Sequence, residues 1–133
     1  MLSVELADLV ATMPFAVAVG LTIDAASNEE VVGHLPWSPE RCTTAGLMHG
    51  GAFMTLADSL GAVCAFLNLP SGASTSTITS STNFFRAVRD GEVHGTARPL
   101  HVGRTTIVVQ TELRDQNDRL VALVTQTQAV LTR

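Results

Sequence analysis

Residues 47–69, LMHGGAFMTLADSLGAVCAFLNL, decide how the rest of this 133-residue chain is read. A polar turn, His49-Gly50-Gly51, opens a run of about eighteen residues rich in helix formers. Asn68 and Pro70 close it, since proline cannot continue a helix. Ala52, Phe53, Leu56, Leu60, Val63, Ala65, Phe66 and Leu67 leave no wide polar face. A helix apolar on every side has to be enclosed by protein or lipid. Asp58 breaks the pattern two turns in, and burying an ionised carboxylate costs several kcal/mol unless something pairs with it.

The surroundings are those of one globular domain spanning residues 1–133, with 46% apolar and 15% charged residues. That apolar excess predicts a surface covered by a second copy of the chain. Net charge is −4 and lysine is absent, so the basic footprint of a nucleic-acid binder is missing. Cys42 and Cys64 have no zinc-ligand spacing, no metal is expected, and both read as reduced thiols of a cytoplasmic protein. The N-terminus, MLSVELADLVATM, carries acids rather than the basic start of a signal peptide. Residues 52–70 are long enough to suggest a membrane span. Asp58 at mid-span and the lack of flanking basic residues argue against it.

Helical spacing of Leu2, Leu6, Leu9, Val10 and Met13 predicts a short amphipathic helix over 3–12, ended by Pro14. Phe15–Ala25 reads as a strand interrupted near Gly20, with Val17, Val19, Leu21 and Ile23 on one face. Glu30–Leu35 is its hairpin partner, and Glu40–Met48 is a loop into the long helix. Four further strands are predicted: Ser74–Ala87, Gly91–Val102, Arg104–Arg114 and Leu120–Leu131, separated by turn residues. Thr105, Ile107, Val109, Thr111 and Leu113 alternate against polar neighbours, which gives one strand a buried face. The Ser/Thr-rich strand over 74–82 suits a sheet edge, or pairing across a symmetric dimer. The sum is an α+β chain: a curved antiparallel sheet wrapped around one long central helix.

The helix start carries chemistry. Its first N–H groups lack intrahelical partners, the macrodipole adds positive charge, and Gly50 and Gly51 block nothing. A carbonyl oxygen becoming an anion in acyl transfer could rest there, as in an oxyanion hole. His49 could orient the loop or the carbonyl, and Ser59 could hydrogen-bond the carboxylate or a water. Asp58 could attack a thioester carbonyl or activate water. Yet Gly50 and Asp58 are eight residues apart, roughly 12 Å along the axis and about 80° around it. One helix cannot aim both at one carbon. Two antiparallel copies across a two-fold axis could, so the functional reading requires a dimer.

With these residues placed, the chain resembles hotdog-fold thioesterases of the phenylacetate-degradation and 4-hydroxybenzoyl-CoA type. The resemblance rests on His49–Asp58, on Asn83-Phe84-Phe85-Arg86-Ala87 and on His101-Val102-Gly103-Arg104-Thr105. It implies a hotdog fold and a homodimer, usually a dimer of dimers. It also implies hydrolysis of acyl-CoA thioesters with no cofactor, coenzyme A being part of the substrate. Asp58 then matches the acidic catalytic position, Gly50 the oxyanion N–H and His49 the residue before it. Phe84, Phe85 and Arg86, with Thr77, fall at positions near the acyl or CoA moiety, and Gly103, Arg104, Thr105 and Thr106 at a CoA-contacting turn. Thr43 departs from the pattern, because many relatives carry Asn or Gln there.

Two other readings compete. A non-catalytic acyl-CoA-binding module would have no reason to keep an acid at the carbonyl. A hotdog dehydratase would need a histidine facing the acid, and no separate loop supplies one.

Overall fold

The structure is a computed structural model and describes residues 5–132. Among the described residues, three α-helices, α1 (Leu6–Ala11), α2 (Pro14–Val19) and α3 (Gly50–Phe66), and two short 3₁₀ turns, Pro39–Arg41 and Thr44–Gly46, accompany six strands. These are β1 (Thr22–Ala26), β2 (Val31–Pro36), β3 (Ser74–Phe84), β4 (Glu92–Val102), β5 (Thr106–Asp115) and β6 (Leu120–Leu131). They form one antiparallel sheet in the order β1-β2-β4-β5-β6-β3. The sheet packs one face on α3, giving the α+β hotdog architecture that the sequence implied.

Period-2 patterning builds the buried face. Ile107, Val109, Thr111 and Leu113 of β5 point inward, as do Ala122, Val124, Gln126 and Gln128 of β6. Against them lie Leu56 and Leu60 of α3, both fully buried, each contributing about 1.5–3 kcal/mol by leaving water. Leu60 seats in a notch between Gly33 and Gly95, which face one another in the β2–β4 register. A Cβ on Gly33 would come 2.7 Å from one Leu60 methyl, and a Cβ on Gly95 would come 2.6 Å from the other. Helix and sheet approach closely because side chains are missing there.

Residues 14–19 are helix rather than strand. Valine favours a strand, but Pro14 occupies the first turn, and Gly20 ends the helix in the left-handed region at φ 96°. Ala16 turns inward while Phe15 and Val17 face solvent, so Val17 does not share the core face of Leu21 and Ile23. The start of the predicted helix over 3–12 lies outside the described residues, and its remainder is α1.

Enclosure of α3 by its own chain is incomplete. The chain covers most of α3 but leaves a stripe at i, i+4 spacing, with Met54, Asp58 and Phe66 exposed and Ala62 half-exposed. Asp58 is therefore solvent-accessible in the single chain. Beside the stripe runs β3, at the sheet edge as its composition suggested, with Ile78 and Phe84 uncovered. No helix among the described residues is long and apolar enough to cross a membrane.

Candidate active site

His49 is the N-cap of α3, and its backbone is extended (φ −63°, ψ 136°). Its ring Nδ1 accepts the Gly51 N–H at 2.7 Å, which leaves Nε2 to carry the proton of the neutral imidazole. The His49 carbonyl accepts the Ala52 N–H at 2.9 Å. Among the described residues nothing accepts the Gly50 N–H. It is a donor at the positive end of a 17-residue helix, bordered by the Phe84 ring, which would lie 3.2 Å from a Cβ at position 50.

Asp58 lies two turns on. Its Oδ1 accepts the Thr77 hydroxyl of β3 at 3.3 Å and the Gln126 amide N–H of β6 at 3.4 Å. Its Oδ2 accepts no hydrogen bond from the described residues. Ser59, expected beside the carboxylate, turns inward and is buried, making no hydrogen bond to Asp58.

Two clefts flank this face. A 680 Å³ cleft at the helix start is lined by Phe15, Val19, Arg41, Cys42, His49 and Thr55, and a 420 Å³ cleft beside Asp58 by Pro14, Phe15, Met54 and Ala62. Phe15 of α2 stands between them and lines both. Exposed Thr43 shares a third hollow with Gly50, Phe84, Phe85 and Arg86. Both cysteines are free. Burial pushes the Cys64 thiol up to about 11, so it takes no part in chemistry near neutrality.

The turn of Gly103, Arg104 and Thr105 joins β4 to β5, closed by the Gly103 N–H on the Thr106 carbonyl at 2.8 Å. It sits by the Ala129 end of β6, whereas Phe84 pairs with Ala122. The two stretches are thus roughly 23 Å apart along β6, and one chain does not bring them together. Arg98 is paired with Glu30 at 2.7 Å. Arg86 and Arg104 have no acidic partner among the described residues.

Sequence reading passed over Gln126 and Gln128. Continuing the inward alternation from Ala122 and Val124 puts both amides on the core face, and buried amides are uncommon without a reason.

The sequence model of the thioesterase superfamily matches residues 45–122, the segment from the loop before α3 into β6. The chain belongs to the thioesterase superfamily. Among solved structures, a mutant form of the thioesterase PA1618 from Pseudomonas aeruginosa superposes with a TM-score of 0.91. That match is 28% identical and covers 98% of this chain and 96% of the other. The conserved protein PA5202 from the same organism is 34% identical, covering 88% of this chain and 93% of the other at a TM-score of 0.83. The 1,4-dihydroxy-2-naphthoyl-CoA hydrolase of Escherichia coli is 36% identical over 65% of this thioesterase-family chain and 63% of its own.

Proposed function

We propose that the protein hydrolyses acyl-CoA thioesters, with a small, medium-chain or aromatic acyl group, to the free acid and CoA. The observation that carries this reading is the open face of α3. Among the described residues, the uncovered stripe holds an acid with one oxygen unengaged, and the same helix begins at an N–H with no acceptor. In this reading the Gly50 N–H takes the negative charge that develops on the thioester oxygen. Asp58 of a second copy acts on the carbonyl carbon. If it attacks, the C–S bond breaks, CoA leaves as the thiolate and takes a proton, and water cleaves the resulting mixed anhydride. If it acts as base, it draws the proton from the attacking water. A single turnover in ¹⁸O-water separates these routes, since only attack leaves label in the Asp58 carboxylate.

The open β3 edge supports the dimer. Gly50 abuts Phe84 and Asp58 abuts Thr77. Pairing β3 with its copy so that Thr77 opposes Phe84 would carry Gly50 of one copy to Asp58 of the other. Counted past the bulge between Thr77 and Thr79, that register puts the two-fold at Ser81. It would also bring Phe84–Arg86 of one copy alongside the Gly103–Thr106 turn of the other, uniting the two stretches that a single chain separates. Arg86 and Arg104, unpaired in a chain without lysine, are then available to the CoA phosphates. The apolar clefts around Phe15 would take the acyl group. The same reading has two such dimers forming a tetramer in the cytoplasm, which light scattering and fractionation check.

A hydrolysis screen over acyl-CoA thioesters, run beside Asp58→Ala and Gly50→Pro, tests the proposal. Proline suits the first position of a helix and removes the N–H, its ring is met by the exposed Phe84 side chain 3.2 Å from a Cβ there, and His49 already has the extended backbone that proline requires before it. Each variant should stay folded and lose about 10²–10³ in kcat. Mixing the two inactive variants should restore activity. Random reassortment makes half the dimers mixed, each with one intact site, so about a quarter of the unmodified rate returns. Full activity in Asp58→Ala would remove the acid from the reaction.

A further inference from the structure

We propose that Gln126, acting with Thr77, is a positioning residue that clamps one oxygen of Asp58 and leaves the other to the substrate. This rests on the catalytic reading of Asp58 given above. Gln126 is fully buried on the inner face of β6, yet its Oε1 has no hydrogen-bond partner among the described residues. Its Nε2 donates to Asp58 Oδ1 at 3.4 Å, an orientation the carboxylate enforces, because an ionised acid can only accept. The amide runs beneath α3 at Gly61, where a Cβ would come 2.0 Å from Oε1. A glycine in the middle of the helix thus opens the space through which a core amide reaches an acid on the exposed face.

Thr77 reaches the same oxygen from the other side. Gln128 Nε2 donates to the Thr77 hydroxyl at 2.7 Å, so the hydroxyl's single proton is directed to Asp58 Oδ1 at 3.3 Å. A bulge in the β3–β6 pairing falls between Thr77 and Thr79, and a bulge re-aims the side chains around it. Two donors hold Oδ1, and none among the described residues reaches Oδ2, which leaves that oxygen open to a ligand. An apolar side chain of equal volume would fill the site under Gly61 without stranding an oxygen. A purely structural role therefore does not account for the glutamine.

Stability and turnover should consequently move in opposite directions. In Gln126→Met the melting temperature is expected to hold or rise, while kcat falls about tenfold and KM stays within about twofold, measured with an acyl-CoA the unmodified protein hydrolyses. Thr77→Val, at an exposed position that tolerates change, should lower kcat similarly, which keeps the test decisive if Gln126→Met fails to fold. Gln126→Glu should move the acidic limb of the kcat profile to higher pH by about one unit, since a second carboxylate beside Asp58 favours its protonated form. A Gln126→Met or Thr77→Val enzyme with unchanged kcat, or a loss tracking a lowered melting temperature, would overturn the inference. If Asp58→Ala itself kept full activity, the catalytic reading would fail first. An inactive Asp58→Ala beside a normal Gln126→Met would sink only the clamp.

Discussion

The two edges of the sheet are built differently. β1 is five residues long, irregular between Ile23 and Ala25, charged at Asp24 and packed against α1. Shortness, charge and a covering helix, rather than the irregularity that β3 shares between Thr77 and Thr79, protect this edge against further strand pairing. β3 is eleven residues, STSTITSSTNF, without a charge or a proline, and its far side pairs with nothing among the described residues. One edge is finished. The other continues an uncovered apolar stripe on α3, and the candidate catalytic groups lie along that side. In the proposed dimer, folding the chain and completing the site are separate events, and the second needs another copy.

The most severe way to break this contrast is Ser81→Lys, which sets like charges opposite one another at the proposed two-fold. The expected result is a folded monomer by light scattering with acyl-CoA hydrolysis lowered at least about a hundredfold, the loss of an essential group. Ser81→Cys sharpens the contrast. Mild oxidation should give a covalent dimer on non-reducing gels with activity retained, since directly paired residues have Cα atoms about 5.5 Å apart.

A smaller effect is expected away from both edges. In the β5–β6 turn, Asp115 accepts the N–H groups of Asn117 and Arg119 and the Arg119 guanidinium, at 2.9, 3.0 and 2.8 Å. Burial pushes its carboxyl up, but those donors together outweigh burial and hold it below the usual carboxylate range. The stabilisation is therefore present above the unfolded-state value and is lost as pH falls through the lower folded-state one. Asp115→Asn should cost about 1–3 kcal/mol at neutral pH by thermal melting, and the gap to the unmodified protein should close below about pH 4. Assembly state should not change. Least of all, Ala25→Lys on the finished edge should alter stability by under about 0.5 kcal/mol and leave activity and mass alone.

Much of this was legible residue by residue. The helix of residues 50–66, the alternation of β5 and the edge character of β3 follow from periodicity and composition, which act locally. α2 was misread because three signals compete within a few residues. The valines favour a strand, while Pro14 and Gly20 punctuate a helix, and the punctuation prevails. Which face of α3 the chain leaves open was not legible, because an apolar surface announces that it will be covered without saying by which chain.

The sequence by itself determined the helix, the strand set, the α+β class and the thioesterase resemblance, because hydrophobic period and helix capping depend on near neighbours. Only the tertiary structure decided that Asp58 stands on an open face with Thr77 and Gln126 on the same oxygen. Those three residues lie on different elements, up to 68 positions apart, and no local pattern reports which strands will cross beneath a given turn of helix.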